Sequence, residues 1–559
     1  MSGAARTRSW TDPTTPRPRA GVGLGSGSTR TGAAASPERY ELVVTPIAEP
    51  TTRGETLGIF LGFSLLYALV GLWVAGDLHV VNFEALDRLN RALMVWSNDP
   101  PKLAAIGFSA APVGSLVLLP LAAIPGLASS TAALPLTSAL LAGGALTFVD
   151  RLLAGSDMTR DGRLVLVALV ALNPMFAYYA VNGTGDAAYL LFAAAGLHCL
   201  LTWGRSGSAR HLIGAGLAFA AAALSGYELI LWGVLVAMIV SANLTARGRG
   251  RDEVEGTVIV YMAPVMYAIG LWILLNAVIL GDPFAWVTSA GGHAVDAAVA
   301  ARPSFDLPAA IGDALRVQLV LPFALVAVPL LLTSARDAIG YGLLGLVAIA
   351  IGYPVACAAI AGSVDVIELR TALPALIAGI AGICWAHLRG ADGRRVTWAL
   401  AVAAGVIALP LAWWQMGSYP HQNLEQAFTR GISSGDDQEG TASLGGFRVG
   451  VASEREMASF IEAHVTGERR ILTDESRTFG VMDLTGKPGL FLDRADDGDD
   501  EWQRVLASPS GRVDYLLVNR DPGDRGLAAY PGADAGEVDS LTPVAVNDRY
   551  ALLAVGGGT

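Results

Sequence analysis

The stretch EALDRLNRALMVWSNDPPKLAAIGFSAAPVGSLVLLPLAAIPGL, residues 84–127, decides how the rest of the chain is threaded. In its first part Leu86, Leu89, Leu93 and Trp96 fall on one helical face, and Glu84, Asp87, Arg88 and Arg91 on the other. That spacing predicts an amphipathic helix lying on the membrane with its carboxylates turned to water. The last part, 105–127, is apolar and long enough to span, yet it carries Pro112, Gly114, Pro120, Pro125 and Gly126. A run so rich in helix breakers suits a re-entrant or surface segment packed against protein.

The surrounding chain is apolar. Of 559 residues, 53% are hydrophobic and only 16% charged, with a mean hydropathy of +0.48. That is too little charge to cover a soluble protein of this size, so most of the chain belongs in lipid. Runs able to cross or nearly cross a bilayer occur at 56–75, 105–127, 133–153, 164–180, 186–203, 211–226, 228–244, 257–280, 315–334, 338–360, 372–388 and 397–416. Basic clusters at Arg151/Arg160/Arg163, Arg205/Arg210, Arg247/Arg249/Arg251, Arg336 and Arg389/Arg394/Arg395 choose among them, because such clusters stay in the cytoplasm. If 105–127 and 133–153 both crossed, every cluster would fall outside. With 105–127 not crossing, eleven spans remain, all five clusters lie inside and the C-terminus lies outside. Twelve ordinary spans would put the C-terminus in the cytoplasm instead.

The predicted organisation is therefore mainly α, a polytopic helical bundle of a cell membrane with a small C-terminal α/β domain. Residues 1–53 are Ser-, Thr-, Gly-, Pro- and Arg-rich and read as a disordered basic cytoplasmic tail without a cleavable signal. The membrane domain covers 54–416, a linker 417–446, and a soluble extracytoplasmic domain 447–559. In that last domain strands are expected at Phe447–Val451, Arg470–Thr473, Gly489–Leu492, Tyr515–Val518 and Tyr550–Val555, with helices at Glu454–Val465 and Glu501–Leu506. Cys199, Cys357 and Cys384 all lie in apolar runs, so the soluble domain has no disulfide framework.

Acidic residues recur where the helices meet the outer face: Glu84, Asp87 and Asp99 in the first loop, Asp186 in the second turn, Glu228 in the third. Ionisable groups at membrane depth are costly and usually functional or paired. Each also has a plain structural reading. Glu84 and Asp87 pair at helical spacing with Arg88 and Arg91. Asp99 suits the turn before Pro100-Pro101, and Asp186 suits a helix N-cap. Glu228, beside Tyr227 between apolar runs, has the weakest such explanation.

The order of these pieces resembles the GT-C fold, polyprenyl-phosphate-sugar-dependent membrane glycosyltransferases of the actinobacterial type, similar to the glycosyltransferase 39, ArnT-like and protein-mannosyltransferase group. Glu84-Ala-Leu-Asp-Arg88, Asn98-Asp-Pro100 and Leu103-Ala-Ala-Ile-Gly-Phe108 resemble the family's first external loop. Ala171-Leu-Asn-Pro-Met175 with Tyr178-Tyr-Ala-Val-Asn-Gly183 and Asp186 resembles its second turn, Gly226-Tyr-Glu228 its Arg-Tyr-Glu turn, and Asn276 through Gly281-Asp-Pro283 the start of its next loop. The resemblance covers about 56–416. It departs where Gly226 replaces an arginine, where Gly185-Asp186 replaces Ser-Glu, and where Glu84 stands for the usual aspartate, with Asp87 one turn on.

The resemblance implies transfer of a sugar from a polyprenyl phosphate to a cell-envelope glycan or lipid acceptor on the extracytoplasmic face, with inversion. Glu84 or Asp87 would act as base. Lys102 and Arg370 would hold the departing phosphate, with Asp99, Asp186, Tyr227 and Glu228 completing the substrate site. His293 is a weaker candidate. Partners are then the lipid-linked sugar, its acceptor and membrane lipids, and no nucleic acid. No cofactor is called for, and a role for a divalent metal is left open: the seven histidines show no ligand spacing and no Gly-rich phosphate loop occurs. The rival readings are a lipid or solute transporter or flippase, against which no internal repeat is seen, and a catalytically inactive GT-C-like scaffold.

Overall fold

The computed structural model describes residues 51–97, 103–107, 111–124, 126–127, 129–286, 305–390, 393–419, 423–441, 449–468, 470–493, 499–521 and 523–556. Asp99, Lys102 and His293 lie outside them, as do Phe447 and Arg448 of the first expected strand.

Helix α1 (Arg53–Gly76) starts where the Thr52 hydroxyl accepts from the Glu55 amide, and runs for 24 residues of almost uninterrupted apolar sequence. The chain then turns into α2 (Phe83–Ser97), capped by Asn82, whose side chain accepts from the amides of Glu84 (2.8 Å) and Ala85 (3.3 Å). The described residues between 103 and 122 form only single helical turns, Leu103–Ile106, Val113–Leu116 and Leu119–Ala122, and no spanning helix. The closely spaced Pro112, Gly114 and Pro120 interrupt the helix here.

The bundle continues with α3 (Ala133–Gly155), α4 (Arg160–Ala171), α5 (Pro174–Val181), α6 (Asp186–Ser206), α7 (Ala209–Ala223), α8 (Leu229–Ala246) and α9 (Arg251–Leu280). After it come α10 (Leu307–Val317), α11 (Phe323–Ser334), α12 (Ala338–Ala361), α13 (Ala372–Arg389) and α14 (Arg394–Ser418). Among the described residues eight helices are long and apolar enough to cross a membrane, and α7 is a shorter apolar one. Two expected straight spans are broken: α4 and α5 meet at 68°, and the pair ending in α11 bends by 96°. The first break is built by Asn173-Pro174. Asn173 caps α5 through the Met175 amide and donates to the Val320 carbonyl at 2.9 Å, which pins the bend to a neighbouring element.

Within the stretch expected to be a linker, residues 423–434 form helix α15 (Asn423–Ser434), which packs back on the bundle, Phe428 against Tyr178 at 5.3 Å. The soluble part then adds α16 (Ala452–His464), β1 (Ile471–Thr473), α17 (Glu475–Thr485), β2 (Phe491–Leu492), α18 (Asp499–Ala507), β3 (Tyr515–Asn519), β4 (Leu541–Val546) and β5 (Tyr550–Val555). The strands lie in the order β2-β1-β3-β5-β4, with β2, β1 and β3 parallel and β5 antiparallel to both neighbours.

This domain corrects the expectation for α2. Its apolar face is buried under protein, not laid on lipid: Ala85, Leu86 and Leu89 pack with Val451, Phe479 and Leu484, while Met94 and Val95 pack with Val481 and Met482 of α17. Arg549 stacks over Phe83 at 5.0 Å and pairs with the buried Glu454 at 2.5 Å, which the Tyr550 hydroxyl also reaches at 2.9 Å. One face of α2 is thereby held by the soluble domain while the other faces the bundle.

Candidate active site

At the end of the bundle where α1 gives way to α2 there is a cavity of about 650 Å³. Its polar wall carries Glu84, Arg88, Asp186, Tyr189, Tyr227, Glu228, Glu368 and Arg370, and its apolar wall includes Trp232, Ile349, Pro354 and Leu373. Residues far apart in the chain thus meet in one place: the first turn of α2, the start of α6, the Gly226–Glu228 turn before α8, and the single turn Leu369–Thr371 before α13.

Glu84 is the hub. One carboxylate oxygen accepts from Arg88 Nη2 at 2.8 Å, one helical turn away, and the other from Arg370 Nη1 at 3.3 Å. Burial pushes the Glu84 carboxyl up, but the two guanidinium groups outweigh it and hold the pKa below the usual glutamate value. Arg370 is shared, its Nε lying 2.5 Å from Glu368 Oε2. Arg88 crosses beneath the cavity, donates to the Ala111 carbonyl at 3.3 Å and lies flat on Gly114, where a side chain at position 114 would collide with it. Asp186 is within electrostatic range of Arg370 and Glu84. Four carboxylates and two guanidiniums line this one space.

The other expected site residues divide clearly. Asp87 is turned away from the cavity and pairs with Arg91 at 2.8 Å. Tyr227 is in the wall, its hydroxyl accepting from Trp272 Nε1 at 3.2 Å and its ring tilted on Trp286 at 4.7 Å. Gly226 leaves room for the Glu228 carboxylate to fold back against it, a site that any side chain would contest.

Sequence reading missed Arg88 as a cavity residue, and with it Glu368, Tyr189, Tyr353 and Cys357. Tyr189 carried a signal, being three residues beyond Asp186 on one helical face. Its hydroxyl is buried without a hydrogen-bond partner among the described residues. Glu425 of α15 was also missed: buried behind the site, it accepts from the Tyr179 hydroxyl at 2.7 Å, and burial pushes its carboxyl up to about 6.

At the level of sequence no protein-family model matches, and no curated protein does. Solved structures do. ArnT from Cupriavidus metallidurans bound to undecaprenyl phosphate superposes with a TM-score of 0.51 over 90% of this chain and 98% of its own, at 15% identity. The chain has the GT-C fold. Archaeal oligosaccharyltransferase AglB from Archaeoglobus fulgidus (TM-score 0.43, 9% identity, 82% of this chain and 69% of its own) and mycobacterial arabinofuranosyltransferase AftD (0.41, 16%, 91% and 42%) are further matches. This is a multi-pass membrane protein with a GT-C-like bundle and a small C-terminal sheet region.

Proposed function

We propose that this GT-C chain is a glycosyltransferase. It moves a sugar from a polyprenyl-phosphate donor to a glycan or lipid acceptor of the cell envelope, at the extracytoplasmic face, with Glu84 as base. The observation that carries the reading is the position of Glu84 between Arg88 and Arg370 on the wall of a cavity that is apolar on its other side. Such a space suits a lipid chain beside a phosphate and a sugar. ArnT, which shares the fold, is known bound to undecaprenyl phosphate.

Sidedness follows from charge. The cavity opens beyond the C-terminal end of α1, whereas Arg151, Arg160 and Arg163 gather at its N-terminal end. With arginines kept in the cytoplasm, the cavity faces outward.

The two arginines serve Glu84 and the donor in turn. Paired with Glu84, they hold the carboxylate ionised. A donor phosphate draws their positive charge to itself, so Glu84 loses partners and its proton affinity rises as the acceptor hydroxyl arrives. Glu84 then takes the hydroxyl proton, the acceptor oxygen bonds to the anomeric carbon, and the bond from that carbon to the phosphate oxygen breaks. The electron pair leaves with the polyprenyl phosphate, whose charge Arg370 and Arg88 stabilise. A single displacement of this kind inverts the anomeric centre.

The test is glycan analysis of the cell envelope after deletion of the protein, with rescue by wild type and by Glu84→Gln. Loss of a glycosyl group on deletion, restored by wild type and not by a stably inserted E84Q variant, is the expected result. Full rescue by E84Q would remove the base from the mechanism, and an unchanged envelope would remove the transferase.

A further inference from the structure

A second cavity, of about 570 Å³, lies at the opposite end of the bundle between α1 and α3, lined by Thr51, Arg53, Leu57, Phe60, Phe148 and Arg151 among others. We propose that this groove binds an anionic glycerophospholipid of the leaflet at the arginine-rich end, its phosphate between Arg53 and Arg151 and an acyl chain along the apolar wall.

The argument is one of unused charge. Most basic residues described at this end are answered by acid. Arg160 and Arg163 pair with Glu55, Arg163 also with Asp150, Arg205 and Arg394 with Asp157, and Arg389 with Asp337. Arg53 and Arg151, on either side of the groove, have no carboxylate partner among the described residues. Asp150 is close by, but it is turned inward to Arg163 at 3.2 Å and to the Thr51 hydroxyl at 3.2 Å. Arg151 is held by the Phe148 ring, 5.3 Å from its guanidinium carbon, which fixes the cation without neutralising it. Between the arginines the wall is mainly apolar, Leu57, Phe60 and Phe148 with Thr56 and Thr147 among them, and Leu57 is 55% exposed. Two cations without a carboxylate partner among the described residues, at the head of a mainly apolar groove, match a phosphate headgroup above a hydrocarbon chain.

The full-length protein in detergent, titrated with phosphatidylglycerol or phosphatidylcholine of matched chains and read by native mass spectrometry, tests this. Phosphatidylglycerol should bind more tightly than phosphatidylcholine. R53Q and R151Q should each weaken it roughly fivefold, and the double variant about 25-fold. Arg53 is exposed, so R53Q is informative even if R151Q fails to fold. R336Q removes a cation that, among the described residues, bonds only the Leu332 carbonyl one turn back, away from the groove, and should leave binding unchanged. Equal loss in that control would mean diffuse attraction, and the proposal would fall. It would fall equally if glycerol 3-phosphate displaced the lipid at comparable concentration, or if lipid bound only after residues 1–50 were deleted, which would make the chain itself the occupant.

Discussion

The two ends of the bundle use the same chemistry in opposite ways. At one end Glu55, Asp150 and Arg163 form a sealed cluster, with the side chains of Asp150 and Arg163 only 1% exposed, and they tie α1, α3 and α4 together. At the other end Glu84, Arg88, Glu368 and Arg370 form a chain of ion pairs on a cavity wall, with Glu84 and Arg370 each 44% exposed. A closed cluster cannot exchange partners, because nothing can enter to replace them, so its role is confined to holding helices in register. An open one can trade a carboxylate for a phosphate. The difference between scaffold and candidate site lies in access, since the residue types are the same.

Substitutions at each end sharpen or break this contrast. Glu84→Gln should lower transfer about 10²–10⁴-fold. It should shift stability by about 1 kcal/mol, because Glu84 and Arg370 are each 44% exposed and the covered Arg88 keeps its bond to the Ala111 carbonyl. A turnover assay beside a thermal melt in detergent separates the two effects. Arg163→Ala should do the reverse, leaving the buried Asp150 without its cation and Glu55 with only the exposed Arg160, and destabilising the protein by about 3–5 kcal/mol. Wild-type-like melting of that variant would show that the sealed end is no lock.

Glu425 lies behind the open end, and its effect depends on pH. Its carboxyl is raised in the folded protein to about 6 from an ordinary 4.5. Between those values the folded chain retains a proton that the unfolded chain has lost, so stability falls as pH rises through the window and stays lower above it. Glu425→Gln should flatten that slope and stabilise the protein at neutral pH by at most about 2 kcal/mol. Melting curves from pH 4 to 8 would show it, and an unaltered slope would refute it. Tyr189→Phe removes a buried hydroxyl that has no hydrogen-bond partner among the described residues. A loss of about fivefold in kcat/KM would place that hydroxyl on substrate, and no loss would exclude it. Asp87→Asn, off the cavity and paired with Arg91, should change transfer by less than about threefold and stability by less than about 1 kcal/mol. A large loss of transfer there would move the base away from Glu84.

The single helical turns at 103–122 illustrate what can be read from sequence alone. Pro112, Gly114 and Pro120 fall within nine residues and together break the helix, whereas the single Pro264, Pro354 and Pro410 sit inside long ones, so the interruption was local information. The apolar runs, the helical period of α2 and the arginine clusters are local in the same sense, and with the family resemblance they yield the membrane bundle, its GT-C character and candidates such as Glu84, Asp186, Glu228 and Arg370. Tertiary structure alone decided which of these meet. Helical spacing offers Glu84 and Asp87 each an arginine four residues on, and no pattern in the chain shows that one carboxylate faces a cavity and the other turns away from it. Nor could sequence reveal that residue 368 approaches residue 84 through a shared arginine, that α15 folds back to bury Glu425, or that the soluble domain covers the apolar face of α2. Those are contacts across hundreds of residues, set by how helices pack, whereas turns, caps and amphipathic faces are set within a few.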